Sequence, residues 1–157
     1  MKIALIAVGK TIAEYLKTGI DEYVGRIGHF APFSMEIIPD LKNTRNVGFE
    51  TQKQQEGALI LKQLQAGDYV VLLDDKGQQF TSPGMAKWLD TRMGASGKRI
   101  VFIIGGPYGF SKDVYAAANA KISLSSMTFS HQMVRLIFLE QLYRAFTILK
   151  GLPYHHE

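Results

Sequence analysis

The sequence predicts an α/β fold, a three-layer domain built on a mostly parallel sheet. Three observations carry that expectation. Short apolar runs alternate with amphipathic stretches along the whole chain. Two of those runs, Tyr69–Leu73 and Arg99–Ile104, are nearly continuous in apolar residues, as strands covered by helices on both faces must be. The chain has 157 residues, enough for one domain spanning 1–157 with a core of its own.

The elements follow in order. Lys2–Val8 is rich in aliphatic and β-branched residues and reads as the first strand. Thr11 precedes an amphipathic helix in which Ile12, Leu16, Tyr23, Val24 and Ile27 share one face. Phe33–Ile38 is a second strand, stopped by Pro39. Residues 40–55 are polar and weakly periodic, an exposed loop entering a surface helix that ends near Gly67. Tyr69–Leu73 is the third strand, and Ser82 with Pro83 supplies cap and first-turn signals for a helix through Met93. Arg99–Ile104 is the fourth strand, residues 111–118 a short helix, residues 122–124 a short strand and residues 131–150 a long helix.

In that last helix Val134, Ile137, Phe138, Ala145, Ile148 and Leu149 form one stripe, and Leu136, Leu139, Tyr143 and Phe146 a second on the other side. A helix apolar on two faces needs two covers. The sheet supplies one, and a second copy of the chain in a symmetric homodimer is the expected other, an intramolecular neighbour being the alternative.

Composition narrows the chemistry. Cysteine is absent, which excludes disulfides, thiolate nucleophiles and Cys-ligated metals. Charged residues make up 20% and the formal net charge is +4, compatible with a polyanionic partner without requiring one. No run approaches the roughly 20 apolar residues of a membrane span, so a soluble, cytoplasmic protein is expected.

Three strands end in chemically unusual loops: Leu73-Asp74-Asp75-Lys76-Gly77, Ile104-Gly105-Gly106-Pro107-Tyr108-Gly109, and Leu124-Ser125-Ser126-Met127-Thr128-Phe129. Ligands bind outside the carboxyl ends of strands in open α/β sheets, so the three together define a candidate pocket. The glycine-rich loop lacks both phosphate-loop and dinucleotide spacings, and reads either as a tight turn or as bare backbone facing a flat ligand. Asp74 and Asp75 read as a solvated turn or, in a phosphoryl-transfer domain, as Mg²⁺ ligands lacking a third acidic partner. His131 reads as a cap or as a catalytic group, and no metal-ligand spacing emerges.

The residues Ile103–Gly109, then residues 124–135, then Glu140-Gln141-Leu142-Tyr143-Arg144-Ala145, and finally Pro153-Tyr154-His155 resemble, in this order, the ribosomal RNA large subunit methyltransferase H family. Its members are small SPOUT enzymes that methylate N3 of a pseudouridine in 23S ribosomal RNA. The resemblance runs from Ala7-Val8-Gly9-Lys10 to the Tyr154-His155 end. It implies a C-terminal trefoil knot, an obligate homodimer, and S-adenosylmethionine held by Leu73, Gly105, Leu124, Ser125, Ser126, Met127, Thr128 and Phe129.

That chemistry fits the missing nucleophile. Methyl transfer from a sulfonium is a direct displacement, needing alignment and a dry pocket but no metal. A neutral imide nitrogen must also lose its proton. His131, Arg135, Arg144, Tyr154 and His155 are the groups at hand. Arg144 or Arg135 is expected to stabilise negative charge or hold a phosphate, and His131 or the Tyr154-His155 tail, from either subunit, to handle the proton.

Two positions depart from the resemblance. Tyr108 stands where an acidic residue is common, and Gln132 where some relatives carry Pro. Lys42, Arg45, Lys53, Lys62, Lys98 and Arg99 are scattered, and the resemblance implies the assembled ribosome as substrate, whose architecture is expected to supply specificity. The rival reading is a non-catalytic ribosome-associated RNA-binding α/β protein, which would not bind the methyl donor.

Overall fold

The computed structural model describes residues 1–156. Strands and helices alternate throughout: β1 (Lys2–Val8), α1 (Glu14–Ile27), β2 (Phe33–Ile38), α2 (Phe49–Gln63), β3 (Asp68–Gln79), α3 (Ser82–Met93), β4 (Arg99–Ile104), α4 (Lys112–Ala117), β5 (Ala120–Ser123) and α5 (Met133–Leu149). The five strands run in the order β2-β1-β4-β3-β5, and every pairing is parallel.

Strand alternation sorts the apolar residues onto two faces. Ile3, Leu5 and Ala7 of β1, with Ile100, Phe102 and Ile104 of β4, pack beneath α1, α3 and α5. Ala4, Ile6, Val8, Val101 and Ile103 face the other way, against Ile60 of α2 and Val114 of α4. Both faces are dry, which explains the unbroken apolar runs. At the opposite end from the site, Arg99 donates from Nε to Asp68 Oδ1 at 2.8 Å and is buried, so it is withdrawn from any surface for RNA.

Several expectations shift in detail. Helix α1 begins at Glu14, leaving Ile12 outside the core and 77% exposed, while Ile20 is buried instead. The side chain of Thr81, not Ser82, caps α3 by accepting from Gly84 N–H, and Ser82 donates to Gln141 of α5 at 2.9 Å. Gln132 fits its position by bridging two segments: its amide accepts from Ile12 N–H and donates to Lys10 O, both at 2.9 Å.

Helix α5 is covered in part by neighbours within the chain, and Leu149 of the first stripe is exposed. The helix lies against α1 and α3. Phe138 and Ala145 of one stripe and Leu139 and Phe146 of the other are all buried, together with Leu142 between them. Leu136, Ile137 and Tyr143 remain half-buried.

The largest correction concerns β3, which does not stop at Leu73 but continues to Gln79. Its register against β5 shifts between Leu73 and Gln78, so that Ile122 is opposite both. The intervening residues bulge from the ladder. Gly77 makes this possible, because a Cβ there would stand 2.6 Å from backbone atoms of Lys121 and Ile122. Backbone cannot rotate away as a side chain can, so Gly77→Ala is expected to cost about 2–3 kcal/mol and to displace β5, read as a lowered urea midpoint.

Candidate functional site

The bulge of β3, the carboxyl ends of β4 and β5 and the start of α5 enclose a cleft of about 470 Å³, within the range of small-molecule sites. Leu73, Gly105, Leu124, Ser125, Met127, Thr128, Phe129 and His131 all line it. Ser126 is the exception among the residues expected to hold a cofactor. Its hydroxyl accepts from Gln79 Nε2 at 3.0 Å.

Each wall has a local cause. After β4, Gly109 N–H donates to Gly106 O at 3.2 Å and closes a turn with Pro107 and Tyr108 at its corners. Proline suits the first corner because its φ is already set. Packing within the chain also requires glycine at both positions 105 and 106. A Cβ on Gly105 would meet the Phe110 ring at 3.0 Å, and one on Gly106 would stand 2.6 Å from Glu56 Oε1. After β5, Ser125 fixes the loop: its hydroxyl accepts from Met127 N–H and its carbonyl accepts from Ser123 Oγ, both at 2.9 Å. Met127 is 78% exposed at the mouth.

Most of the lining is apolar, including Leu73, Ile104, Phe110, Ile122, Leu124 and Val134. The charged exception is the bulge of β3. Asp74 accepts from the Tyr115 hydroxyl at 2.5 Å and from Lys76 N–H at 3.0 Å. Burial raises its pKa, but these hydrogen bonds outweigh burial and hold the carboxyl below its ordinary value. Burial first, then Asp74, pushes the Tyr115 phenol up to about 12. Among the described residues no three His, Asp or Glu side chains gather as metal ligands.

Glu56 of α2 backs the glycine turn. It is buried, and its Oε1 has no hydrogen-bond partner. Burial raises its pKa, Asp40 adds to the rise, and a hydrogen bond with Gln52 opposes it. A carboxyl with a raised folded-state pKa contributes stability that is present below about pH 4.3 and is lost as pH climbs through the raised value. Glu56→Gln should therefore raise Tm at pH 7–8 and flatten the decline above pH 4.3, measured by thermal melts across pH.

The expected catalytic residues separate. Only His131 lines the cleft. Arg135 is fully buried, with a relative exposure of 0%. Its guanidinium donates to Gly9 O at 2.7 Å, Val8 O at 2.8 Å, Thr11 Oγ1 at 3.1 Å and His131 O at 3.1 Å. It ties the start of α5 to the end of β1 and does not face the cleft, which corrects its expected contact with substrate.

Arg144, Tyr154 and His155 form a second cluster. Arg144 donates to Glu140 Oε1 at 2.5 Å, contacts His155 Nδ1 at 3.1 Å and lies 4.8 Å from the centre of the Tyr154 ring. Tyr154 OH donates to Glu140 Oε1 at 3.0 Å and shares a hydrogen bond of the same length with Tyr23 OH. Burial, then Tyr23 and Glu140, raises the Tyr154 pKa. At 1.5 Å of rise per residue, Arg144 is about 15 Å along α5 from Val134 in the cleft wall.

Tyr115, Phe110 and Glu56 are absent from the sequence expectations. Phe110 directly follows the glycine turn, a position that could have marked it. Tyr115 and Glu56 sit in helices whose pattern carries no such mark.

Comparison with known proteins agrees with this geometry. The family model described as "Predicted SPOUT methyltransferase" matches residues 1–155. The chain is 59% identical over 157 residues to the ribosomal RNA large subunit methyltransferase H of Parabacteroides distasonis, covering 100% of both chains. Identity is 58% to the protein of the same name from Phocaeicola vulgatus and 57% to that from Bacteroides fragilis, again over 100% of each chain. A matched span that takes in every wall of the cleft, with relatives alike from end to end, establishes that this chain belongs to the SPOUT methyltransferase family.

Proposed function

We propose that this chain, working as one domain in a cytoplasmic homodimer, uses S-adenosylmethionine to methylate N3 of a pseudouridine in 23S ribosomal RNA within the assembled ribosome. The observation that carries this reading is the convergence of Leu73, Gly105 and the loop after Leu124 on one cleft. The relatives' shared name supports large-subunit ribosomal RNA as the substrate.

The cleft suits the donor. Its apolar walls exclude water, and the backbone of Gly105 and of the Leu124–Phe129 loop offers hydrogen bonds to a flat ring. Asp74 in the cleft wall, whose hydrogen bonds favour its ionised form, suits a cationic ligand. When bound, S-adenosylmethionine supplies an activated methyl group, so the protein has only to align it and manage one proton.

His131 is the group placed to hold or move the N3 proton of a base in the cleft. Arg144, Tyr154 and His155 serve the partner subunit's cleft, since their own lies about 15 Å away along α5. There Arg144 stabilises negative charge on the base, and Tyr154, whose hydroxyl donates to Glu140, holds the Glu140–Arg144 pair in place. Arg135 is a positioning residue that fixes the His131 backbone.

Two measurements test the reading. Titration calorimetry should show S-adenosylmethionine binding, whereas a non-catalytic RNA-binding protein would give no heat. Mass spectrometry of 23S ribosomal RNA from cells with and without the protein should show one methyl group missing from a pseudouridine. An unchanged nucleotide overturns the proposal.

A further inference from the structure

We propose that Phe49 and Tyr108 form a platform on which an unpaired RNA base flanking the target nucleotide stacks. This inference deepens the function proposed above and rests on RNA being the substrate.

Phe49 is the first residue of α2, and Tyr108 stands at the corner of the turn after β4. Their rings lie 4.2 Å apart and within 22° of parallel. Yet Phe49 is 64% exposed and Tyr108 38%. By contrast, Phe102 and Phe138 meet inside the core. The exposed pair leaves flat aromatic surface open to solvent, a π-face that any base can cover.

The platform stands at the rim of the cleft, because the neighbours of Tyr108 on both sides, Pro107 and Gly109, belong to its wall. Cations surround it in the chain. Lys42 and Arg45 lie exposed in the segment leading into α2, and neither forms an ion pair among the described residues. Lys53, one turn beyond Phe49, is paired with Glu50 at 2.9 Å. Flat rings for bases, preceded in the chain by unpaired cations for phosphates, are the chemistry of single-stranded nucleic acid recognition. Unpaired positive charge in the segment that leads to Phe49 favours such a polyanion over an apolar peptide.

The test uses assembled ribosomes purified from bacteria lacking this methylation. Phe49→Leu and Phe49→Ala should raise KM for the ribosomes about 10-fold, and Phe49→Trp should restore it, with kcat and the Kd for S-adenosylmethionine unchanged. A double Lys42→Gln, Arg45→Gln variant should bind ribosomes with a salt slope shallower by about 2, one for each lost phosphate contact. A wild-type KM in Phe49→Leu, a Kd for the methyl donor that rises in step with KM, or an unaltered salt slope would overturn the platform. Wild-type protein that methylates no ribosome at all would instead overturn the function on which the platform rests.

Discussion

Mixing subunits that carry His131→Ala with subunits that carry Arg144→Ala is expected to restore methylation to about one quarter of wild type, although each variant alone should be reduced about 10²–10⁴-fold. The quarter follows from the proposed geometry. Random pairing makes half of the dimers mixed, and each mixed dimer holds one intact cleft, with His131 from one subunit and Arg144 from the other. If both residues served the same cleft within a subunit, no mixed dimer would contain a complete site. Radiolabelled methyl transfer to purified assembled ribosomes, with the variants denatured and refolded together, decides between the two. Removing the chain from Tyr154 onward should behave like Arg144→Ala in the same mixture.

Arg135→Ala is expected to lose about 3–5 kcal/mol of stability, lowering Tm by about 10 °C or more. The side chain is a buried cation whose donors satisfy the carbonyls of Val8, Gly9 and His131 and the hydroxyl of Thr11. Removing it leaves those oxygens without partners in a space that water enters poorly, and detaches the start of α5 from the end of β1. Arg135→Lys should recover only part of the loss, since one ammonium cannot reproduce a planar fork reaching four acceptors. Binding of S-adenosylmethionine should weaken in parallel with stability, because Ser130, His131 and Val134 all line the cleft. A selective fall in kcat at unchanged Tm would return Arg135 to a role in contact with substrate.

The two arginines show how differently one residue type is used nine positions apart on one helix. Arg135 faces the carbonyl ends of a buried strand, and burial lowers its pKa. Arg144 meets a carboxylate near the surface, and that hydrogen bond raises its pKa. Nothing in their sequence neighbourhoods separates them, because what distinguishes them is the segment packed opposite.

The central strands were legible from composition alone, since a strand dry on both faces must be almost wholly apolar, and Lys2–Val8 and Arg99–Ile104 begin and end where expected, as does the edge strand Phe33–Ile38, which Pro39 stops. The loops of the cleft were legible for a related reason: Gly-Gly-Pro and Ser-Ser beside an apolar run serve neither strand nor helix. Tertiary structure alone decided the rest. It kept Asp74–Gly77 inside β3 as a bulge, because a glycine there lets two backbones approach. It withdrew Arg135 from the cleft, buried the middle of both stripes of α5 against α1 and α3, and brought Phe49 onto Tyr108. Each outcome depends on contacts between residues far apart in the chain, whereas periodicity and composition report only what a segment requires of its immediate surroundings.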